Sequence, residues 1–186
     1  RALNALGIRP DVYHSNEGHS AFISLERLRG LIDEKHLTFR EALEVVRSST
    51  LFTTHTPVPA GHDAFDEDLL RKYISHYHAR LNITWDELMA LGRCEGDHDR
   101  KFNMSYLATR MSQEVNGVSK LHGEVSRAMF NKLWPGYLRE ELFIGHVTNG
   151  VHYPTWLAPE WREVYGEITG SVNFDQTNRL LWEKLY

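Results

Sequence analysis

The sequence has 186 residues, of which 41% are hydrophobic and 25% charged, and its formal net charge is -4. These proportions are typical of a globular protein with one sizeable core, and they exclude a strongly basic nucleic-acid-binding protein. The single cysteine, Cys94, excludes an internal disulfide framework and is typical of a reducing compartment. The negative net charge leads us to expect no nucleic-acid partner. We find no apolar run long enough to span a bilayer and no charged-then-apolar leader, so we expect no membrane partner either.

The first third of the chain predicts strands that alternate with helices. A short strand at residues 11–14 leads into the polar loop Ser15–His19, and Ser20 is placed to cap a helix with apolar residues at helical spacing. Thr38 and Glu41 have the spacing of a capping box at the start of a second helix. Because strands separated by helices favour a parallel pair, the loops that follow the first two strands should meet at one edge of the sheet.

The second strand is the centre of the sequence because it delivers His55 to a rigid loop. Residues 51–54 are apolar or β-branched, which indicates a strand covered on both faces. Pro57 and Pro59 lack a backbone N–H and fix φ, so the strand must end before them. Ligands of open α/β sheets bind just beyond the carboxyl ends of the strands. His55 is therefore the leading candidate for a functional residue.

The rest of the chain is predicted to be mostly helical. Apolar spacing and turn residues predict helices at 66–81, 84–91, 103–115, 118–133, 158–165 and 173–186, a loop at 92–101 and a third strand at 142–147. Thr84 and Glu87 form a second capping-box pattern. A break between the helices at 103–115 and 118–133 is expected at Asn116-Gly117. An Asn-Gly break between two such apolar helical stretches is unusual.

Four short motifs place amide or imidazole groups at turns. They are residues 15–20 (SNEGHS), 53–63 (TTHTPVPAGHD), 115–126 (VNGVSKLHGEVS) and 146–157 (HVTNGVHYPTWL). Amides and neutral imidazoles both donate and accept hydrogen bonds, as recognition of sugar hydroxyls requires. A purely structural interpretation stays open, because Asn116-Gly117 and Asn149-Gly150 are also ordinary turn sequences.

A metal-dependent hydrolase is the rival interpretation of the same residues. Its ligands would come from His19, His55, His62, His146 and His152, with Glu17 or Asp63. These residues are scattered along the chain, and no helical pair of histidines adjoins a loop carboxylate, so we favour a site without a metal. The sequence also contains no G-x-S-x-G nucleophile elbow and no glycine-rich phosphate loop.

With the four motifs in this order, the chain resembles the α-glucan phosphorylases, the family of glycogen, starch and maltodextrin phosphorylases, and particularly their bacterial branch. The resemblance runs from about Asp11 to Leu157. It implies an α/β fold, as a helix-rich fragment of a two-domain, Rossmann-like (GT-B type) glycosyltransferase. Residues 1–115 would be the C-terminal portion of the N-terminal domain, and residues 116–186 the truncated start of the C-terminal, cofactor-binding domain.

The resemblance also implies a reaction, the phosphorolysis of terminal α-1,4-glucosidic bonds of glucans with release of glucose 1-phosphate. The partners would be α-glucan or maltodextrin and inorganic phosphate, in a cytoplasmic enzyme for which association into a homo-oligomer is left open. The family carries pyridoxal 5'-phosphate, and its attachment lysine lies downstream of Tyr186. We therefore expect no cofactor-binding residue in this chain and no activity from the chain alone.

The resemblance assigns roles to individual residues. His55 matches the catalytic-site histidine whose ring binds the sugar 6-hydroxyl and whose backbone carbonyl faces the developing cationic sugar. Asn116 matches the asparagine that holds the same hydroxyl. Glu17 and His19 match residues that line the sugar pocket near the acceptor side, and the adjoining Asn16 is assigned with them as substrate-binding.

Two departures from the family bear on the acceptor side. Animal members carry Asp-Thr where this chain has Glu17-Gly18, and an acidic residue where Ala60 stands. Two alternative functions stay open from the sequence alone. One is a glycogen synthase-like glucosyltransferase, which would lack pyridoxal absorbance, and the other is a non-catalytic glucan-binding module.

Overall fold

A parallel sheet organises the first 148 residues. The structure is a computed structural model and describes residues 2–97, 99–170 and 177–185. Its strands are β1 (Tyr13–Asn16), β2 (Thr50–Thr53), β3 (Ala64–Phe65), β4 (Phe102–Asn103), β5 (Glu114–Gly117) and β6 (Ile144–His146). Four of them form one parallel sheet in the order β1-β2-β5-β6, whereas β3 and β4 form a separate antiparallel pair. The predicted parallel pairing of the first two strands is confirmed.

Helices connect these strands. They are α1 (Ala2–Ala5), α2 (Phe22–Lys35), α3 (Phe39–Ser48), α4 (Glu67–Arg80), α5 (Trp85–Ala90), α6 (Met104–Arg110), α7 (Lys120–Phe130), α8 (Tyr153–Trp156), α9 (Pro159–Thr169) and α10 (Arg179–Trp182). Helix α2 packs against α3, α4 and α6, while α7 packs against β5 and β6. A helix-rich α/β fold with a parallel sheet is therefore confirmed.

Both predicted capping boxes are present at the helix starts. The Thr38 hydroxyl accepts the Glu41 N–H over 3.3 Å, and the Glu41 carboxylate accepts the Thr38 N–H over 2.8 Å. Thr84 and Glu87 make the same reciprocal pair at the start of α5. Each box satisfies two backbone N–H groups that the first helical turn leaves unpaired, and this fixes where the helix begins.

The core is built on β2. Phe52 is fully buried there, and a continuous apolar cluster surrounds it. Its largest fully buried members from the helices are Leu25, Leu28, Leu88, Met89, Met104, Leu107 and Phe130. Burial of each such side chain contributes roughly 1.5–3 kcal/mol to stability. The body of β2 is therefore firmly packed, and its carboxyl end leads out of this core.

The start of α2 differs from the prediction. Helix α2 begins at Phe22, and the residue before it, Ala21, makes no side-chain cap. Ser20 instead closes the 3-10 turn Gly18–Ser20, where its hydroxyl donates to the Glu17 carbonyl over 3.0 Å. The expectation that Ser20 caps the helix is therefore wrong, because the turn uses the hydroxyl first.

The prediction of one helix over residues 103–115 is also wrong. Helix α6 ends at Arg110, and the chain then forms β5, which pairs with β2 on one side and β6 on the other. Val115 continues the apolar stripe of the helix, so periodicity alone extends the helix too far. Two flanking strands supply backbone partners for this segment, and that sheet pairing outweighs local helical spacing.

The described residues divide into two compact units, Arg1–Thr148 and Asn149–Tyr186. The predicted junction at 115/116 falls within β5, which belongs to the sheet of the first unit; how the domains of the whole protein divide stays a prediction. In the second unit, Tyr153 and Tyr165 stack with ring centroids 6.3 Å apart. The predicted final helix lies partly outside the described residues, and α10 occupies its later part.

Candidate active site

A row of polar side chains crosses the carboxyl edge of the sheet. Asn16, Thr53 and Asn116 are register partners on β1, β2 and β5, so one row holds all three. The Thr53 hydroxyl lies 3.0 Å from the Asn116 amide oxygen and 2.7 Å from Nε2 of His14. The predicted meeting of the first two loops at one sheet edge is confirmed, and Asn116, which the sequence placed at a helix break, joins the same edge.

His55 begins the loop that leaves β2 at this edge. Its side chain is exposed, and Nε2 lies 2.5 Å from Oδ1 of Asn16. Because an amide oxygen only accepts hydrogen bonds, Nε2 is the donor in this contact. The contact orients the imidazole ring across the end of β1, beside the polar row.

Glu17 joins the two loops through its carboxylate. Oε1 accepts the backbone N–H of His55, the N–H of Thr56 over 2.8 Å and the Thr56 hydroxyl over 3.1 Å. Oε2 accepts the N–H of Gly18 over 3.3 Å. Partial burial alone would raise the pKa of Glu17, but these hydrogen bonds outweigh burial and lower the pKa below 4.5. Glu17 is therefore a carboxylate at neutral pH.

His19 stands apart from this network. It lies on the 3-10 turn Gly18–Ser20, and its side chain is exposed. The predicted roles of Asn16, Glu17 and His19 as sugar ligands stay predictions. The structure brings Asn16 and Glu17 into direct contact with the His55 loop.

A buried layer below the loops contains two histidines. His62 and His122 are 9% and 8% exposed. His62 Nδ1 lies 2.7 Å from the Ser105 hydroxyl, and His122 Nδ1 accepts the Val118 N–H over 3.2 Å. Burial lowers the pKa of His62 below 6.5, and neighbouring His122 lowers it further, although Glu17 and Asp63 oppose both effects. His62 is therefore a neutral imidazole at neutral pH.

Two glycines let this layer approach the strand ends closely. A Cβ on Gly18 would lie 2.6 Å from the Ser105 hydroxyl, and one on Gly117 would lie 2.8 Å from the backbone nitrogen of Gly123. Both contacts are closer than real Cβ atoms show, so a side chain at either position would separate loop and helix. From the sequence, His62 was a candidate only for the rival metal site, and no pattern indicated a role for His122.

The chemistry of these groups suits a neutral polyol. Within the described part of the chain, no three histidine, cysteine, aspartate or glutamate side chains gather as a metal site. The Glu17 carboxylate lies at this edge, and a negative group does not fit the phosphate of pyridoxal phosphate. No helix of the described residues has the length and apolar character needed to cross a membrane. The Asn16 and Asn116 amides, the Thr53 hydroxyl and the His55 imidazole are groups that can hydrogen-bond hydroxyls of a ligand.

Comparison with known proteins identifies the class of protein to which this edge belongs. The carbohydrate phosphorylase family model matches residues 10–180. A glycogen phosphorylase of Mycobacterium tuberculosis is 46% identical over 183 residues, which cover 95% of this chain and 21% of that protein. A maltodextrin phosphorylase of Thermococcus litoralis is 45% identical over 172 residues, 92% of this chain and 20% of that protein. A glycogen phosphorylase of Aquifex aeolicus is 34% identical over 184 residues, 97% of this chain and 26% of that protein.

The chain therefore belongs to the carbohydrate phosphorylase family, and the resemblance inferred from the four motifs is confirmed. The chain spans about a fifth of the length of the first two relatives.

Proposed function

We propose that this chain is a segment of an α-glucan phosphorylase and that the carboxyl edge of its sheet holds the sugar whose bond is broken. The whole enzyme would be a cytoplasmic, two-domain GT-B glycosyltransferase. Its partners would be α-glucan or maltodextrin and inorganic phosphate. Association into a homo-oligomer is compatible with this proposal. The observation that carries the proposal is the row Asn16–Thr53–Asn116 beside His55, in a chain that belongs to this family.

The reaction exchanges one bond at the anomeric carbon of the terminal glucose. A phosphate oxygen bonds to C1 as the bond from C1 to the glycosidic oxygen breaks. The glycosidic oxygen leaves as the 4-hydroxyl of the shortened glucan after it takes the proton that the phosphate gives up. Positive charge develops at C1 and the ring oxygen during this exchange, so a carbonyl dipole aimed at the ring lowers the barrier.

The residues of this chain would hold the sugar during that exchange. Asn116 and the His55 ring would bind the 6-hydroxyl, and the His55 carbonyl would face the developing charge. Glu17 and His19 would line the acceptor side of the pocket, and Asn16 would be a further substrate-binding residue. Thr53 holds the Asn116 amide oxygen, so the Asn116 carboxamide is already oriented before sugar binds. Such preorganisation saves the cost of ordering the side chain during binding.

Pyridoxal phosphate would supply acid–base chemistry toward the substrate phosphate through its own phosphate group. Its attachment lysine would lie outside this chain, and no step described for the present residues depends on it. The division into domains at residues 115/116 stays part of this proposal for the whole protein.

The test is an assay of the full-length protein with maltodextrin and inorganic phosphate. We expect glucose 1-phosphate to form and to disappear when phosphate is left out. Absence of glucose 1-phosphate from a protein that shows pyridoxal absorbance would contradict the proposal. A glucosyltransferase would lack that absorbance, and a binding module would bind maltodextrin without releasing any product.

A further inference from the structure

We infer that Glu17 is a positioning residue, which aims the main-chain carbonyl of His55 at the reacting sugar. This inference rests on the proposed function, because it concerns the same sugar site. It differs from the sequence-based assignment, in which Glu17 is itself a ligand of the sugar. The contacts of the Glu17 carboxylate carry the inference.

The Glu17 carboxylate already accepts four hydrogen bonds. Oε1 accepts three, from the two backbone N–H groups of His55 and Thr56 and from the Thr56 hydroxyl. Oε2 accepts a fourth from the N–H of Gly18. A carboxylate has about four acceptor positions, two on each oxygen, so Oε1 is fully used and one position on Oε2 is left for any sugar hydroxyl.

One peptide group connects the Glu17 carboxylate to the His55 carbonyl. The Thr56 N–H and the His55 carbonyl belong to the same planar trans peptide, in which N–H and C=O point in opposite directions. Holding the N–H on Oε1 therefore turns the carbonyl away from Glu17. Within the described part of the chain, the His55 oxygen accepts no backbone hydrogen bond, so it is available to a ligand.

The charge of Glu17 acts on the same peptide group. A negative carboxylate on the N–H side polarises the peptide and makes the carbonyl oxygen more negative. A sugar that gains positive charge in the transition state responds to this dipole more than the neutral ground state does. The contribution of Glu17 should therefore fall on turnover and not on ground-state binding.

The backbone conformation of Glu17 supports the inference independently of its side-chain contacts. Glu17 has φ 68° and ψ 165°, in a region that non-glycine residues rarely occupy. Its N–H donates to the Thr53 carbonyl over 2.9 Å, so the ladder between β1 and β2 runs up to this residue before the chain turns. A rare conformation costs of order 1–3 kcal/mol and persists only where neighbours enforce it, commonly at functional sites.

The experiment uses the full-length enzyme with Glu17→Gln, Glu17→Asp and Glu17→Ala. Gln keeps an acceptor oxygen but removes the charge, so we expect kcat to fall about tenfold while KM for maltodextrin changes less than about threefold. Asp keeps the charge and should retain more of kcat than Gln. Ala removes both the charge and the acceptors and should show the largest loss of kcat.

Glu41→Gln is the matched control. Glu41 also accepts a backbone N–H and a threonine hydroxyl, but at the start of α3 and not at the site. We expect this variant to keep wild-type kcat and KM. Gln is nearly isosteric with Glu, so we expect Glu17→Gln to fold even if Glu17→Ala does not. The comparison of Glu17→Gln with wild type then decides the test.

Two outcomes would overturn the inference. A rise in KM with unchanged kcat in Glu17→Gln would make Glu17 a sugar ligand, and wild-type values of both would remove it from the site. Failure of the wild-type enzyme to release glucose 1-phosphate is a different result, because it contradicts the proposed function itself.

Discussion

The Thr53 hydroxyl lies 3.0 Å from Oδ1 of Asn116, although 63 residues separate them in the sequence. The contact joins the carboxyl ends of β2 and β5. A backbone hydrogen bond joins the same two ends, because the Thr54 N–H donates to the Asn116 carbonyl over 3.0 Å. Asn116 is thus held by side chain and main chain together. The orientation of its carboxamide depends on the hydroxyl of a residue in a buried strand.

Thr53→Val should separate the role of this hydroxyl from the shape of its side chain. Val keeps the volume but leaves Oδ1 of half-buried Asn116 without its donor. We expect the free energy of unfolding to fall by about 1–2 kcal/mol, measured in urea. Under the proposed function, Thr53→Ser in the full-length enzyme keeps the hydroxyl and should restore most of the kcat/KM lost by Val. Equal kcat/KM in wild type and Thr53→Val would show that Asn116 does not need this orientation.

His55→Ala should reduce turnover more than it weakens glucan binding. The ring interacts with Asn16 and, under the proposed function, with the sugar as charge develops. Loss of one or two such hydrogen bonds corresponds to a decrease in kcat of about 10- to 100-fold. KM for maltodextrin should change much less. His76→Ala, which removes an exposed histidine of α4, is the control, and equal kcat in both variants would remove the His55 ring from the site.

Local signals predicted much of the framework. The β-branched run ending at Thr54 and the two prolines after it placed β2 and the start of the His55 loop correctly. Two capping boxes predicted the starts of α3 and α5. These features depend on residues within a few positions of one another, so their physical causes are visible in the sequence.

The features that the sequence did not reveal depend on distant partners. Strand β5 has only four residues, and its place is set by pairing with β2 and β6. The bond of His62 to Ser105 spans 43 residues, and no local pattern indicates that this histidine is buried. The positive φ of Glu17 was also hidden, because glutamate gives no sequence signal for such a backbone.

Gly117→Ala should destabilise the junction between β5 and α7. An added Cβ would lie 2.7 Å from Nδ1 of His122 and 2.8 Å from the backbone nitrogen of Gly123, so the helix start would have to move. We expect a loss of about 1–3 kcal/mol in the free energy of unfolding in urea.

Gly30→Ala is the comparison variant for the same unfolding measurement, because here an added methyl group has space. This glycine lies inside α2, and its nearest contact for a Cβ is a Glu34 side-chain oxygen at 3.9 Å. Ala should therefore stabilise the protein by about 0.5–1 kcal/mol. If Gly117→Ala were as stable as wild type, the close approach of α7 to the strand end would be refuted.

The stability of the protein should fall as the pH drops below 6.5, in part because of His62. Burial lowers the pKa of His62 in the folded state, whereas the unfolded state titrates near 6.5. Between these two values the unfolded state binds more protons, so the free energy of unfolding decreases as the pH falls and levels off below the folded pKa. The Glu17 pKa lies below 4.5, so protonation of that carboxylate belongs to a lower pH range.

His62→Asn tests this assignment, because an Asn side-chain atom can take the place of Nδ1 beside Ser105 without gaining a proton. We expect the unfolding free energy of this variant to depend less steeply on pH below 6.5 than that of wild type, in urea titrations at a series of pH values. Above pH 7 the two proteins should differ by a constant amount, which reports the packing change alone. Parallel pH profiles across the whole range would show that His62 contributes nothing to the acid sensitivity of the fold.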